Sequence, residues 1–126
     1  REEVVAMRKK MTDAHATNSE THFGLKHDSG GIIDVEFIVQ YLVLGHASQH
    51  HSLTGNLGNI ALLRIAGELG LINPEQALAA GNAYREYRRL QHAKRLSASP
   101  KAPIPREGIE NHIVAVNRLW KAVFET

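Results

Sequence analysis

The sequence predicts an all-α fold, a bundle of about five helices packed mostly antiparallel. Apolar residues recur at spacings of three and four along several stretches, as in helices with one buried face. The hydrophobic fraction of 43% over 126 residues is enough for one core. Most connections between the periodic stretches are short, which favours antiparallel neighbours. We therefore expect a single helical domain over residues 1–126.

Two helices are expected in the first 46 residues. Arg1 to Met11 has a narrow apolar stripe typical of a helix, and the polar stretch Thr12 to Glu20 reads as a loop. Thr21 to Lys26 alternates, which indicates a short extended segment suited to the edge of a sheet in a longer protein. The most apolar run, Ile32 to about His46, predicts the central helix. The stripe of the first helix consists of Val4, Met7 or Arg8, and Met11.

The third and fourth helices have clear end signals. Leu62 to Leu69 is periodic and is closed by Gly70, a common residue after a helix C-terminus. Asn73 followed by Pro74 is a typical helix start, and nothing interrupts the pattern until about Leu96. The apolar stripe of this helix contains Ala80, Ala83, Tyr84, Tyr87 and Leu90.

The remaining segments are two connections and a final helix. Ala47 to Gly58 and the proline-rich Ser97 to Pro105 read as connections. Glu107 to about Glu125 has apolar residues at helical spacing, with Trp120 expected in the core.

Composition limits the classes of function. The chain has no cysteine, so disulfides, thiolate metal sites and cysteine nucleophiles are excluded, and a reducing cytoplasm is expected. No signal peptide or membrane span is visible, and a net charge of +2 is too small to favour nucleic acid. The sequence starts inside a helical pattern without methionine, as expected of a fragment cut from a longer protein.

The most informative stretch is the polar loop with a Gly-Gly pair that leads into the central helix. Gly30 and Gly31 allow unusual backbone angles or a close approach to the backbone. On the following helix, Glu36 and Gln40 share a side, and Asp34 points nearly the opposite way. The side with Glu36 also carries Ile33, Phe37 and Leu44.

Two interpretations of this stretch remain open on physical grounds. A buried Glu36 needs a partner, for which Lys26, His27 or a distant arginine is suitable. Alternatively, Lys26 and the N–H groups of the Gly30-Gly31 turn bind an anion such as phosphate at the helix N-terminus. The spacing is compatible with both.

Sites for catalysis or metal binding are not evident. The pair His27-Asp28 lacks the other ligands of a phosphohydrolase metal site, and His50-His51 is expected to be solvated. The closely spaced aspartates after a Gly-Ser turn that a nucleotidyltransferase needs are missing. We expect no catalytic residue and no metal ligand in this chain.

One face of the fourth helix is rich in arginine. It is either a solvated surface or a docking surface for an acidic partner or phosphate. Nucleic acid is less favoured, because aromatic residues do not alternate with the basic ones. The docking candidates are Arg85, Arg88, Arg89 and Arg95.

The pattern Lys-x-x-x-Gly-Gly-x-x-Asp-[Ile/Val]-Glu-Phe-x-x-Gln, from Lys26 to Gln40, resembles the signature of the glutamine synthetase adenylyltransferase family. Asp34 before Glu-Phe resembles the form in the C-terminal, adenylylating half. Ala61, in place of an arginine, and Gln91, in place of an acidic residue, depart from the family pattern. Further matching pieces are 40–44, Asn59, Leu62-Leu63, Gly70-Leu71, 83–85 and Leu119-Trp120.

The resemblance implies the helical domain that follows the nucleotidyltransferase domain in a bifunctional enzyme. That enzyme adds AMP to a tyrosine of glutamine synthetase and removes it again, using ATP and Mg²⁺, under control of glutamine and the PII signalling protein. Lys26, Gly30 and Gly31 then face the catalytic domain or its nucleotide, while Asp34, Glu36 and Gln40 order the loop. This chain alone is expected to be inactive and to need no cofactor.

The alternative class is a stand-alone interaction module that binds an acidic protein through the arginine face.

Overall fold

The computed structural model of the protein describes residues 2–15, 17, 19–55, 57–99 and 102–125. Within these ranges the chain forms five α-helices and one short strand pair, so the all-α prediction is confirmed. None of these helices is both long and apolar enough to cross a membrane. The elements are α1 (Glu2–His15), β1 (His22–Phe23), α2 (Ile32–His46), α3 (Asn59–Glu68), α4 (Pro74–Arg95), β2 (Ile104–Pro105) and α5 (Glu110–Phe124), with a single 3-10 turn at His51–Thr54.

The core forms around α2, which lies against α3, α4 and α5. Its residues Val35 and Ile38 are fully buried, as expected for the most apolar run of the sequence. Trp120 is also buried, which confirms its predicted place in the core. The other large side chains that are fully buried come from β1, α3, α4 and α5 and are Phe23, Leu63, Tyr87, Val116 and Leu119.

Helices α3, α4 and α5 run antiparallel to their neighbours. The C-terminal part of α3 meets the start of α4 where Gly67 lies against Pro74, and the start of α3 meets the middle of α4 where Asn59 bonds Tyr84. Further along α4, the ring of Tyr87 lies 6.2 Å from that of His112 near the start of α5, while Gln76 near the start of α4 lines a small groove with Arg118 further along α5. The predicted antiparallel arrangement therefore holds for these three helices.

The predicted helix ends are confirmed where local chemistry defines them. The Asn73 side chain accepts hydrogen bonds from the N–H groups of Glu75 and Gln76, at 2.8 and 3.1 Å, at the start of α4. After α3, Gly70 takes the left-handed φ of 77° that ends many helices. The bounds of α2 are those predicted.

Several segments differ from the prediction, two of them because of a contact made elsewhere in the fold. Helix α3 begins at Asn59, three residues before the predicted Leu62. Helix α1 continues through part of the expected loop to His15, whose ring stacks on that of His27. Helix α5 begins three residues later than expected, after a turn at Gly108. The extended segment does not remain a free edge, because β1 pairs antiparallel with β2 inside the same chain.

Tyr87 and Tyr84 offer a matched test of the core. The Tyr87 hydroxyl is buried without a hydrogen-bond partner among the described residues, and burial raises its pKa. Tyr87→Phe should leave the free energy of unfolding unchanged or raise it by up to about 1 kcal/mol, whereas Tyr84→Phe should lower it by about 1 kcal/mol, since it loses the bonds to Asn59 and Glu36. Urea denaturation measures both. The reverse order would contradict this account.

Candidate functional site

The loop before α2 is closed by hydrogen bonds. Asp28 is buried, and its carboxylate accepts from the backbone N–H groups of Thr17 and Gly24, both at 2.8 Å. The Asp28 carbonyl accepts from the N–H of Gly31 at 2.9 Å. Carbonyls of the loop then receive the first N–H groups of α2, which would otherwise lack partners. The loop therefore acts as the N-terminal cap of α2.

The Gly-Gly pair is required by the shape of this loop. Gly30 has a φ of 89°, which side-chain-bearing residues rarely adopt. At Gly31, a Cβ atom would lie 2.5 Å from the carbonyl oxygen of Leu25 and 2.9 Å from that of Asp28. The loop conformation therefore requires glycine at both positions, whether or not a ligand binds.

Asp34 is the buried carboxylate of this region. Its side chain is 3% exposed, and its oxygens accept from the Gly30 N–H at 2.7 Å and from Arg8 at 2.9 Å (Nε) and 2.8 Å (Nη2). The bond to Asp34 raises the pKa of Arg8, although partial burial opposes this shift. The bidentate pair with Arg8 and the N–H of Gly30 stabilise the charge of Asp34, which would otherwise be costly to bury.

Arg8 connects this carboxylate to the last helix. Its Nη2 donates to the Ser29 hydroxyl at 2.6 Å, and that hydroxyl donates to Asn117 of α5 at 3.0 Å. The guanidinium also lies 4.7 Å above the ring of Trp120. We call these residues the Asp34 network. It holds α1, the loop and α5 together.

Glu36 does not occupy the buried position that the pattern suggested. It is half-buried, and its Oε2 accepts a long hydrogen bond of 3.4 Å from the Tyr84 hydroxyl. Gln40 is exposed, and Leu44 on the same side is 79% exposed. The prediction that this side needs a buried ion pair is therefore wrong, because the core lies on the other side of α2.

This outward side of α2 forms a shallow groove with α1 and α3, of about 530 Å³. We call it the α2 outer groove. Its lining is mostly apolar and includes the half-buried Ile33 and Phe37. The remaining members are Met11, Glu36, Val39, Gln40, Val43, Leu44, Asn59 and Leu62.

Lys26 is exposed at the start of the loop. The ion pairs of the described ranges join Arg8 to Asp34, Arg64 to Glu68 and Arg89 to Glu86, so Lys26 does not pair with Glu36 there. The N–H groups of Gly30 and Gly31 already donate to the Asp34 carboxylate and the Asp28 carbonyl. A contact of Lys26, Gly30 and Gly31 with nucleotide or the catalytic domain stays a prediction. The side chain of Lys26 is the part left available for it.

Lys26 lines a second groove, of about 580 Å³, between the ends of α1 and α4. We call it the basic groove. The rings of His15 and His27 stack there with centroids 4.3 Å apart. Burial, with the neighbouring charges of His15 and Lys26, lowers the pKa of His27. Lys94 and Arg95 come from the last turn of α4. The sequence alone assigns neither Lys94 nor His15 to a site. These residues are far apart in the sequence, and no local pattern indicates that they lie close together in the fold.

The arginine face of α4 divides into two parts. Arg85 and Arg88 donate to Asn82 and Gln91 of the same helix, at 3.1 and 2.8 Å, and Arg89 pairs with Glu86. These three are exposed and locally bonded, whereas Arg95 lines the basic groove. A docking role for all four stays a prediction. Within the described ranges, no three His, Cys, Asp or Glu side chains come together as a metal site would require.

The Asp34 network should dominate local stability. Asp34→Asn should lower the free energy of unfolding by about 3 kcal/mol, because Arg8 loses the charge that balances it. Urea denaturation followed by circular dichroism measures this. The matched control is Glu68→Gln, which breaks the exposed pair with Arg64 and should cost less than about 1 kcal/mol. Equal losses in the two variants would contradict the role assigned to Asp34.

Comparison with known proteins identifies the relatives of this chain. A family model described as GlnD PII-uridylyltransferase matches residues 1–101. The bifunctional glutamine synthetase adenylyltransferase/adenylyl-removing enzyme of Aromatoleum aromaticum is 58% identical over 124 residues, covering 98% of this chain and 13% of that protein. The enzymes of the same name from Bordetella bronchiseptica and Nitrosomonas europaea are 51% and 49% identical, covering 99% and 98% of this chain and 13% and 15% of their own lengths.

The chain thus spans about 13% to 15% of the length of these relatives. The resemblance seen in the Lys26 to Gln40 pattern is confirmed, since the similarity extends over nearly the whole chain. Because the family model matches most of its residues, the chain belongs to the GlnD PII-uridylyltransferase family and is similar to bifunctional glutamine synthetase adenylyltransferases.

Proposed function

We propose that this chain is the helical accessory domain that follows the nucleotidyltransferase domain in the adenylylating half of a glutamine synthetase adenylyltransferase. The observation that carries the proposal is the 58% identity over 98% of the chain to an enzyme of that name. The matched segment is 13% to 15% of the length of these relatives, so they have room for separate catalytic domains. In this proposal the parent enzyme is cytoplasmic, uses ATP and Mg²⁺, and answers to the PII protein.

The chain's contribution to adenylyl transfer is positioning. Its described residues hold no cluster of carboxylates for a metal, so the reacting groups come from the nucleotidyltransferase domain. The loop of Lys26 to Gly31 is held rigid by Asp28 on one side and Asp34 on the other. A rigid loop presents the Lys26 ammonium at a fixed place, which suits contact with the nucleotide phosphates or with the catalytic domain. Glu36 and Gln40 lie beyond the loop, on the face that meets the catalytic domain.

The α2 outer groove supports docking onto that domain. Helix α2 is apolar on nearly all sides, a pattern typical of helices buried from two directions. The described part of the chain covers α2 mainly from one direction, and Leu44 is left 79% exposed. The nucleotidyltransferase domain of the same polypeptide is the occupant that we assign to the other side, since most of the parent length lies outside this chain.

The alternative function, an interaction module with an arginine docking face, has less support. Arg85, Arg88 and Arg89 each bond a side chain of their own helix. A partner would have to replace these bonds.

Lys26 separates a structural role from a functional one. In the isolated chain, Lys26→Met should change the free energy of unfolding by less than about 0.5 kcal/mol, because the residue is exposed and lacks an ion pair within the described ranges. In the parent enzyme it should lower the initial rate of glutamine synthetase adenylylation about tenfold, as expected for one lost charge-assisted bond. Lys121→Met, also at an exposed lysine, is the control. Lost stability with unchanged activity would overturn the proposal.

Leu44 tests the docking face. Leu44→Asp should leave the melting temperature of the isolated chain nearly unchanged, because the side chain is already in solvent. In the parent enzyme it should weaken packing between the two domains, seen as faster limited proteolysis between them and a lower adenylylation rate. Leu78→Asp, at a leucine of α4 that is 67% exposed, is the matched control and should alter neither. Identical behaviour of the two variants would argue against this interface.

A further inference from the structure

The basic groove is formed by three parts of the chain that are distant in sequence. His15 comes from the end of α1, Lys26 and His27 from the loop, and Lys94 and Arg95 from the end of α4. Five basic side chains therefore share one cavity. The rest of the lining is Thr17, Gly24, Leu25, Gln91, Ala102 and Pro103, so the described lining contains no carboxylate.

The described residues around this groove balance its positive charge only in part. Asp28 is the carboxylate next to His27, but it is buried and already accepts two backbone N–H bonds. Lys26, Lys94 and Arg95 take part in none of the ion pairs within the described ranges. The C-termini of α1 and α4 favour basic residues, yet two helix ends supply only about half a negative charge each. The three full positive charges of Lys26, Lys94 and Arg95 therefore exceed the negative charge of the two helix ends and Asp28, and the groove keeps a net positive charge.

The pKa of His27 in the stacked pair also reflects the positive charge of the basic groove. The neighbouring charges of His15 and Lys26 act with burial to lower the pKa of His27, and they outweigh the opposing effect of Asp28. Lys94 and Arg95 approach the groove from α4 with the same sign. An anion placed between these groups would relieve the repulsion and favour protonation of His27.

We propose that the basic groove binds the phosphate chain of a di- or triphosphate ligand. A volume of about 580 Å³ lies in the range of small-molecule sites, which is about 300–1,000 Å³. Three cations on two segments, Lys26 on the loop with Lys94 and Arg95 on α4, match several negative charges close together, whereas a single carboxylate would leave most of them unpaired. The ligand is either a nucleotide or a free polyphosphate. This inference rests on the proposed function in one respect, the expectation that Lys26 contacts a phosphate.

Isothermal titration of the isolated 126-residue chain with inorganic triphosphate, ATP and AMP, without metal, tests the groove directly. Triphosphate and ATP should bind, and AMP should bind at least about tenfold more weakly because it carries fewer charges. The double variant Lys26→Met/Lys94→Met should weaken triphosphate binding at least about tenfold. Lys121→Met, a lysine outside the groove, should change it less than about twofold. Circular dichroism confirms that each variant is folded.

Comparing the ligands identifies the source of the phosphate. If ATP binds much more tightly than triphosphate, the ligand of the groove is a nucleotide. If the two affinities are equal, the ligand is a free polyphosphate. On the unmodified chain, NMR should show the ring signals of His27 moving with triphosphate while those of His51 do not. Absence of binding, or binding that the double variant retains, overturns the inference. Because the titration needs no glutamine synthetase, a negative result here leaves the proposed function standing, and a failed adenylylation test leaves the groove standing.

Discussion

The fold near the Gly-Gly loop depends on how the charge of Asp34 is balanced. A carboxylate that is 3% exposed is tolerated only with donors in place, and here the donors are the Gly30 N–H and the guanidinium of Arg8. Helix α1 has no buried residue, so apolar packing alone attaches it weakly. The pair of Arg8 and Asp34, with Trp120 beneath the guanidinium, therefore supplements the partly buried Val4 and Val5 in attaching α1 to the bundle.

The need to supply donors to the buried carboxylates also determines which groups of the loop remain available to bind a ligand. Closing it around Asp28 and Asp34 uses the N–H groups of Gly30 and Gly31, which a phosphate-binding turn would otherwise offer. Anion recognition in this region therefore depends on side chains. Lys26 and His27 project from the part of the loop that faces the ends of α1 and α4. Rigidity comes from the hydrogen bonds to Asp28 and Asp34, and charge comes from Lys26 and His27.

Features that depend on residues close together in the sequence could be predicted from it, whereas contacts between distant residues could not. The bounds of α2 and the Asn73 cap of α4 follow from periodicity and capping chemistry within a few residues. Arg8 lies 26 positions before Asp34, and β1 pairs with a strand about 80 residues away, so neither contact has a local pattern. The wrong choice of Glu36 as the buried carboxylate has a related cause. A helix that is apolar all round does not reveal which side faces the core.

Helix α2 also joins the two surfaces to which functions are assigned. Its first N–H groups, from Ile32 and Ile33, donate to the carbonyls of Leu25 and Lys26 at 2.8 and 3.1 Å. The backbone of the basic groove is thus bonded directly to the helix whose outer side carries Leu44. A domain docked on the α2 outer groove would share one rigid element with any anion bound beside Lys26. Coupling between the two surfaces then needs no distant chain of contacts, because a shift of α2 moves the Lys26 backbone with it.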